Sequence, residues 1–365
     1  MNEKSPFNTN KLIHHKSRVK QILQYNDSLK VNLMPFPITV EFDLVKSCNQ
    51  GCRWCNFKSW SKRQEFFPIE QIDNLFVDLK KIGVKAIEIV GGGEPLLHPH
   101  INKIISKAHH YGFDLGLITN GTLLPKIFSN IDNFTFIRIS LDAATAPTYV
   151  DTHYYYKKSV NKEKDFDRVL KNIDSLSKQI SNNKIGVAFL ITPWNYNEIE
   201  QTATKVKALG AGYIVYRPAS GINIKKNDLQ KYWRDVNKLL RKAKQYENQK
   251  FKVYSSAKSR WLFAQKKKQT NGYCLGSLVY AVVEADGNIP FCNLFRGRKK
   301  YSLGNIVNGN SFSKIWRSKK HQNMFKQIDV KYCPYLCKAN DYTLQIKTSN
   351  ENFDSPANYR HKNFL

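Results

Sequence analysis

The chain has 365 residues, 41% hydrophobic and 13% aromatic, and its 58 Lys and Arg against 29 Asp and Glu leave a formal net charge of +29. This apolar content excludes an intrinsically disordered chain, and the length accommodates one large domain with a smaller one. No run approaches the ~20 uncharged apolar residues of a spanning helix, and the opening MNEKSPFNTNKLIHHK lacks a signal-peptide core, so a soluble, cytoplasmic protein that stays out of the membrane is expected.

Residues 1–36 read as a basic, helical extension. The first strand is expected at Ile38–Leu44 (ITVEFDL), running directly into a cysteine triplet. PIEQIDNLFVDLKKIG follows, with Pro68 at a first helical position, Gly83 as its stop, and apolar residues recurring at three and four. Next come strand KAIEIV before GGGEP, helix INKIISKAHHYG, strand DLGLITNG and a short helix around 123–131. Strand FTFIRISLDA, helix KDFDRVLKNIDSLSKQI, strand KIGVAFLIT, helix EIEQTATKVKALG and strand GYIVYRPA complete six β/α steps between residues 38 and 219. Such alternation predicts an α/β fold with a parallel sheet, open or curled into a barrel, and an active site where the strands end. Beyond 225 the pattern changes: 226–271 reads as a helical linker, and 272–345 mixes short strands, Gly turns and one helix around 313–328. The tail, 346–365, is polar and carries no expected structure.

The net charge has two readings. One is an anionic partner or substrate; the other is a solvated Lys-rich surface, which the even spread of Lys along the chain favours. The seven cysteines are more informative. Cys48, Cys52 and Cys55 form C-x3-C-x2-C, while Cys274, Cys292, Cys333 and Cys337 form a distant group. Without a secretion signal, clustered thiols read first as metal ligands. Three thiolates leave one iron of a cubane without a protein ligand, hence open to a cofactor or substrate. A zinc site completed by His98 or His14 is the other reading of the triplet, and tetrahedral zinc that of the four.

CNQGCRWCNF after a first strand resembles the signature of the radical S-adenosylmethionine (SAM) superfamily. The resemblance covers about residues 36–220 and implies a partial (β/α)6 TIM-like barrel in 37–225. It also implies a [4Fe–4S] cluster on Cys48, Cys52 and Cys55 whose open iron is chelated by the SAM methionine. In that family Trp54 would meet the adenine through its backbone, and Gly92, Gly93 and Glu94 of GGGEP would receive the methionine amino group. Thr119 and Asn120 follow the third strand. Ser140 and Asp142 stand where relatives bind the SAM ribose or carboxylate, and GVAFLITPWN where they contact adenine. Glycines that admit close backbone approach and a carboxylate that pairs with an ammonium agree with such roles.

The second group, C-x12-G-x4-C with Gly287 as its glycine and then CPYLC, resembles the shortened SPASM or "twitch" domain, a small α+β cysteine-rich unit. Its four cysteines suffice for a fully ligated auxiliary [4Fe–4S] cluster. A saturated cluster suits electron transfer. The resemblance, to 2-deoxy-scyllo-inosamine dehydrogenase-like proteins in particular, therefore implies hydrogen abstraction from a polar small molecule, neutral or anionic, such as a sugar, cyclitol or nucleotide-sugar. The auxiliary cluster would accept an electron, a base would take a proton, and flavodoxin or ferredoxin would be the external donor. Arg217, ending the sixth strand, is placed either to meet that substrate or as a structural residue. A peptide maturase is the alternative; only about 36 residues precede the barrel for leader binding, and no cysteine is left over as a hydrogen donor. A nucleic-acid-modifying enzyme ranks below both, because no RNA-binding module is recognisable.

Overall fold

The computed structural model describes residues 9–57, 65–157, 162–219, 231–255, 272–330, 333, 337–348 and 361–365. A 3-10 turn leads into α1 (Lys16–Ser28), followed by β1 (Thr39–Asp43), α2 (Ile72–Lys81), β2 (Ala86–Val90), α3 (Ile101–His110) and β3 (Asp114–Thr119). Then come β4 (Phe134–Ser140), α4 (Ala146–His153), α5 (Lys162–Ser177), β5 (Ile185–Ile191), α6 (Ile199–Ala208), β6 (Tyr213–Pro218), α7 (Trp233–Lys244) and β7 (Lys252–Ser255). The C-terminal part adds β8 (Tyr280–Val283), β9 (Asn288–Pro290), β10 (Ser302–Asn305), α8 (Phe312–Trp316), α9 (Lys319–Gln327) and α10 (Lys338–Thr348).

The expected α/β fold is present, with a larger sheet than six steps. Among the described residues eight strands pair in the order β7-β6-β5-β4-β3-β2-β1-β8, every pair parallel. β7 lies in the stretch expected to be a helical linker: its four residues, KVYS, are too short to announce themselves by pattern. β8 comes from the cysteine-rich region, so that region is not separate from the main sheet but supplies its end strand beside β1. A helix around 313–328 was expected as one piece. It is two, because the Ser318 side chain accepts from the His321 N–H and starts α9 afresh. The tail without expected structure also departs from the reading. Phe364 and Leu365 are buried, and the Thr39 hydroxyl donates to the Asn363 carbonyl at 2.6 Å.

β1 shows how the sheet divides its faces. Val40 and Phe42 point to the helices, where Phe42 meets Phe67 and Phe76 edge-on at 4.8 and 6.4 Å. Burying such side chains contributes roughly 1.5–3 kcal/mol each. Glu41 and Asp43 alternate to the other, concave face, where neither could remain charged alone. Arg296, four residues after Cys292, answers both: Nε donates to Asp43 Oδ2 at 2.8 Å and Nη2 to Glu41 Oε2 at 2.7 Å. Lys338, next to Cys337, donates to Glu41 Oε1 at 3.2 Å. The strand leading into the first triplet is thereby tied to the loops that carry the second group.

Replacing Arg296 by Met leaves two buried carboxylates without their fork-shaped partner. Unfolding in denaturant should show a loss of about 3–5 kcal/mol, and adding Glu41→Gln and Asp43→Asn should restore much of it. An Arg296→Met protein as stable as the parent would refute the clamp.

Candidate active site

The loop after β1 is pinned before it reaches the cysteines. Val45 bridges Phe66, and Lys46, almost fully buried, joins Glu65 at 2.8 Å and Asp286 at 2.5 Å. Cys48, Cys52 and Cys55 follow, all partly exposed and none in a disulfide. Their thiols lie close enough for the charges of Cys48 and Cys55 to raise the pKa of Cys52. Backbone N–H groups already point at sulfur: Gln50 to Cys48 and Phe57 to Cys55, each at 3.4 Å. Burial, with the Glu94 charge behind it, pushes Cys48 up to about 12. Such a thiol is inert as a free nucleophile and becomes a thiolate only beside a strong positive charge such as iron.

GGGEP lies directly against this loop. A Cβ on Gly93 would stand 1.9 Å from the Ser47 carbonyl oxygen, and the Glu94 N–H donates to that same oxygen at 2.9 Å. Gly93 is therefore required by close approach; Gly92 is buried in the same turn. Glu94 is 2% exposed and its carboxylate faces inward. It accepts from the Thr119 hydroxyl (2.6 Å), the Asn120 N–H (2.8 Å) and the Leu96 N–H (3.1 Å). Burial raises its pKa and these donors oppose the rise. Glu94 thus fastens the end of β2 to the end of β3. Asn120 continues the chain: its amide donates to Asn49 at 2.8 Å and reaches the Cys48 sulfur at 4.0 Å.

Ser140 ends β4, and Asp142 follows in the left-handed region with φ of 54°. Asp142 is also turned inward: Oδ1 accepts from the Leu190 N–H at 2.6 Å, stapling β4 to β5, and burial lifts its pKa to about 7. Arg217 on β6 lies near enough for its charge to oppose that rise. The structure therefore brings Arg217, Ser140 and Asp142 to one end of the sheet.

His153, at the end of α4, is a site residue that sequence reasoning missed. Its Nδ1 lies 3.4 Å from Cys52 Sγ and 3.0 Å from Gln50 Oε1, and its Nε2 lies 3.0 Å from the Leu141 carbonyl oxygen. Burial lowers the ring to about 4, which leaves it neutral. Tyr149 stacks on it at 4.5 Å and Trp54 meets it edge-on at 6.1 Å. Nothing in the local sequence marks His153, about a hundred positions from the cysteine it faces. Arg53 could have been suspected from its place inside the triplet. It lies over Trp194 at 3.8 Å and Tyr155 at 4.4 Å.

The four distant cysteines also converge. Cys333 and Cys337 raise the pKa of Cys274, and all three raise that of Cys292. Cys274, Cys337, Tyr280, Val330 and Ala339 share a small apolar cluster. The Thr343 hydroxyl stands 3.9 Å from Cys274 Sγ, and Lys338 lies 4.9 Å above the Tyr280 ring. Among the described residues no group of His, Cys, Asp or Glu closes around a single-ion site; the grouping of the thiols is visible in their mutual electrostatics instead. His98 does not complete the first site: Nε2 bonds the Phe67 carbonyl oxygen at 2.9 Å and Nδ1 accepts from the His100 N–H at 3.1 Å. The donor sets fit iron–sulfur clusters, with three soft thiols and N–H donors in one place and four thiols in the other. A cavity of 660 Å³ at the opposite end of the sheet, lined by His109, Asp114, Lys184 and His361 among others, contains none of these residues.

Because Glu94 satisfies three buried donors, Glu94→Ala should destabilise the protein even without SAM, on the order of 3 kcal/mol. Thermal melts of the SAM-free protein test this; an unchanged melt would confine Glu94 to ligand contact.

Comparison with known proteins agrees with this geometry. Residues 44–206 match the family model described as the radical SAM superfamily, and 274–339 match the iron–sulfur cluster-binding SPASM domain. The subtilosin biosynthesis protein AlbA of Bacillus subtilis is 26% identical over 291 residues, 79% of this chain and 61% of AlbA. An S-adenosylmethionine-dependent nucleotide dehydratase of Fibrobacter is 24% identical over 44% of this chain and 50% of its own length. The chain thus spans less than two thirds of either relative. Streptococcus suis SuiB, solved with its precursor peptide SuiA, shares the fold with a TM-score of 0.62 at 15% identity, over 93% of this chain and 78% of SuiB. No helix among the described residues is long and apolar enough to cross a membrane. With a core that matches the radical SAM superfamily joined through β8 to a cysteine-rich C-terminal unit, the chain carries a radical SAM domain and a SPASM domain, and its cofactors are SAM with a [4Fe–4S] cluster and further iron–sulfur in the SPASM domain.

Proposed function

We propose that the protein removes a hydrogen atom from a polar, anionic substrate held on the concave face of the sheet, and that, as a base takes a proton from the substrate radical, the SPASM-domain cluster takes up its electron. Cys48, Cys52 and Cys55 hold the SAM-binding cluster, and Cys274, Cys292, Cys333 and Cys337 the auxiliary one. When bound and reduced, the first cluster supplies the electron that splits SAM into methionine and a 5′-deoxyadenosyl radical. The observation that carries this reading is the Arg296–Glu41–Asp43 clamp with Lys338, which holds both thiol groups against the same strand. A fixed separation is what electron transfer after hydrogen abstraction requires.

The chain's own residues divide the work. Gly93 lets the GGGEP backbone approach the ligand, while Glu94 and Thr119 hold that loop in shape. Trp54, Asn120, Ser140 and Asp142 border the SAM pocket. Support for an anionic substrate comes from the strand ends, where Glu94 and Asp142 are spent on internal donors while Arg217 carries positive charge. A reduced carrier such as flavodoxin or ferredoxin delivers the electron.

A peptide substrate is the second reading, favoured by one observation. The match to AlbA, a bacteriocin biosynthesis protein, runs over 79% of this chain, whereas the match to the nucleotide dehydratase covers 44%.

Anaerobically reconstituted protein should hold about eight irons, and the Cys48/Cys52/Cys55→Ala variant about four. Stoichiometric zinc in that variant would refute the auxiliary cluster. A folded Cys333→Ala/Cys337→Ala protein should still release 5′-deoxyadenosine but yield no product two hydrogens lighter by mass spectrometry; product at the parental rate would remove the electron-acceptor role.

A further inference from the structure

Residues 152–157 form a strap along the first cysteine loop. The Gly51 N–H donates to the His153 carbonyl and the Arg53 N–H to that of Thr152, both at 2.9 Å, and the Tyr156 N–H returns to Gly51 at 3.0 Å. Lys157 Nζ closes the contact on the Cys48 carbonyl oxygen at 2.9 Å. A Cβ on Gly51 would stand 2.7 Å from Lys157 Cβ, so backbone meets backbone here. The strap thus touches both ends of the loop: its His153 lies 3.4 Å from Cys52 Sγ, and its Lys157 bonds the backbone of Cys48.

That outer side is unusual for this molecule. Tyr155 and Tyr156 are 50% and 45% exposed, two of five large apolar side chains left exposed among the described residues. Their rings meet edge-on at 4.8 Å. The Arg53 guanidinium lies over Tyr155 and is oriented by Asp151 at 2.9 Å, and Lys157 is exposed beside the pair. Aromatic side chains with Arg among them are the composition of a protein–protein contact, and neighbouring cations on a chain of charge +29 select an acidic partner.

We propose that Arg53, Tyr155, Tyr156 and Lys157 form the docking surface for the one-electron donor, a small acidic carrier protein. This rests on the reading that Cys48, Cys52 and Cys55 hold the cluster. The carrier's reduced flavin loses one electron and the cluster site gains it; no bond forms or breaks. A substrate has no use for this position, because it must reach the concave face of the sheet, whereas an electron needs only the strap's contacts with Cys48 and Cys52.

The test compares two reductants on the reconstituted full chain and on its Tyr155→Ser/Tyr156→Ser and Tyr155→Glu/Tyr156→Glu variants. Dithionite needs no docking surface, so 5′-deoxyadenosine release with it should stay within about twofold of the parent for both variants. With reduced flavodoxin the rate should fall by about tenfold, more for the Glu pair, and flavodoxin affinity by fluorescence titration should weaken by the same factor. Parental affinity should itself weaken as KCl is raised. Unchanged flavodoxin affinity in both variants would overturn the proposal, whether or not the rates change. Weakened substrate affinity with flavodoxin affinity intact would also overturn it and assign the patch to substrate. Absence of iron and of dithionite-driven 5′-deoxyadenosine in the parent would instead refute the cluster reading, while flavodoxin titration of the parent and variants would still judge the patch.

Discussion

Two carboxylates on one strand govern the architecture. Glu41 and Asp43 project from β1 into the concave side of the sheet, where an unpaired charge costs several kcal/mol. Their partners arrive from more than two hundred and fifty residues away, Arg296 on the loop after Cys292 and Lys338 at the start of α10, directly after Cys337. Burial raises the Asp43 pKa, and the Arg296 guanidinium acts against it; at Glu41 the two cations prevail and its pKa falls. A fork-shaped guanidinium that meets both acids fixes distance and angle together, as a single lysine could not. Beside it, β8 extends the parallel sheet past β1, so hydrogen bonds and charge join the two cysteine regions along the same strand.

The acids of the family motifs have a second duty in this chain. Glu94 and Asp142 are the residues one would assign to a ligand, yet both lie inward and accept backbone N–H groups. Each spans the gap between the ends of neighbouring strands, β2 to β3 and β4 to β5. In a parallel sheet the strand ends leave amides unpaired, and a short acidic side chain is the economical way to satisfy them. The GGGEP and ISLD loops are therefore pre-shaped by the same residues that a motif search selects for binding.

The thiols follow a related logic. Burial holds Cys48 and Cys274 near 12, far above a reactive cysteine. Such sites wait for a cation to ionise them, and the N–H groups of Gln50 and Phe57 then stabilise the resulting thiolates. His153, neutral and wedged between Cys52, Gln50 and Leu141, is the buried end of the strap and gives these thiols a polar neighbour, while Tyr155 and Tyr156 of the same strap are exposed.

Much of this was legible in the sequence. The C-x3-C-x2-C spacing, the order of GGGEP, ITNG and ISLD, and the β/α alternation are local patterns, and local patterns follow from backbone period and ligand spacing within a few residues. Helix stops were equally local: Gly83, with φ of 81°, ends its helix as expected. What the tertiary structure alone decided is long-range. That YAVV at 280–283 joins β1 and not a separate small sheet depends on pairing across 240 positions, which no window of sequence encodes. That Arg296 serves Glu41 and Asp43, that His153 faces Cys52, and that Glu94 points inward are consequences of which faces the closed fold buries. Residue type fixes what a side chain can bond; only the fold decides which groups are taken out of water beside it, and therefore which bonds must be made.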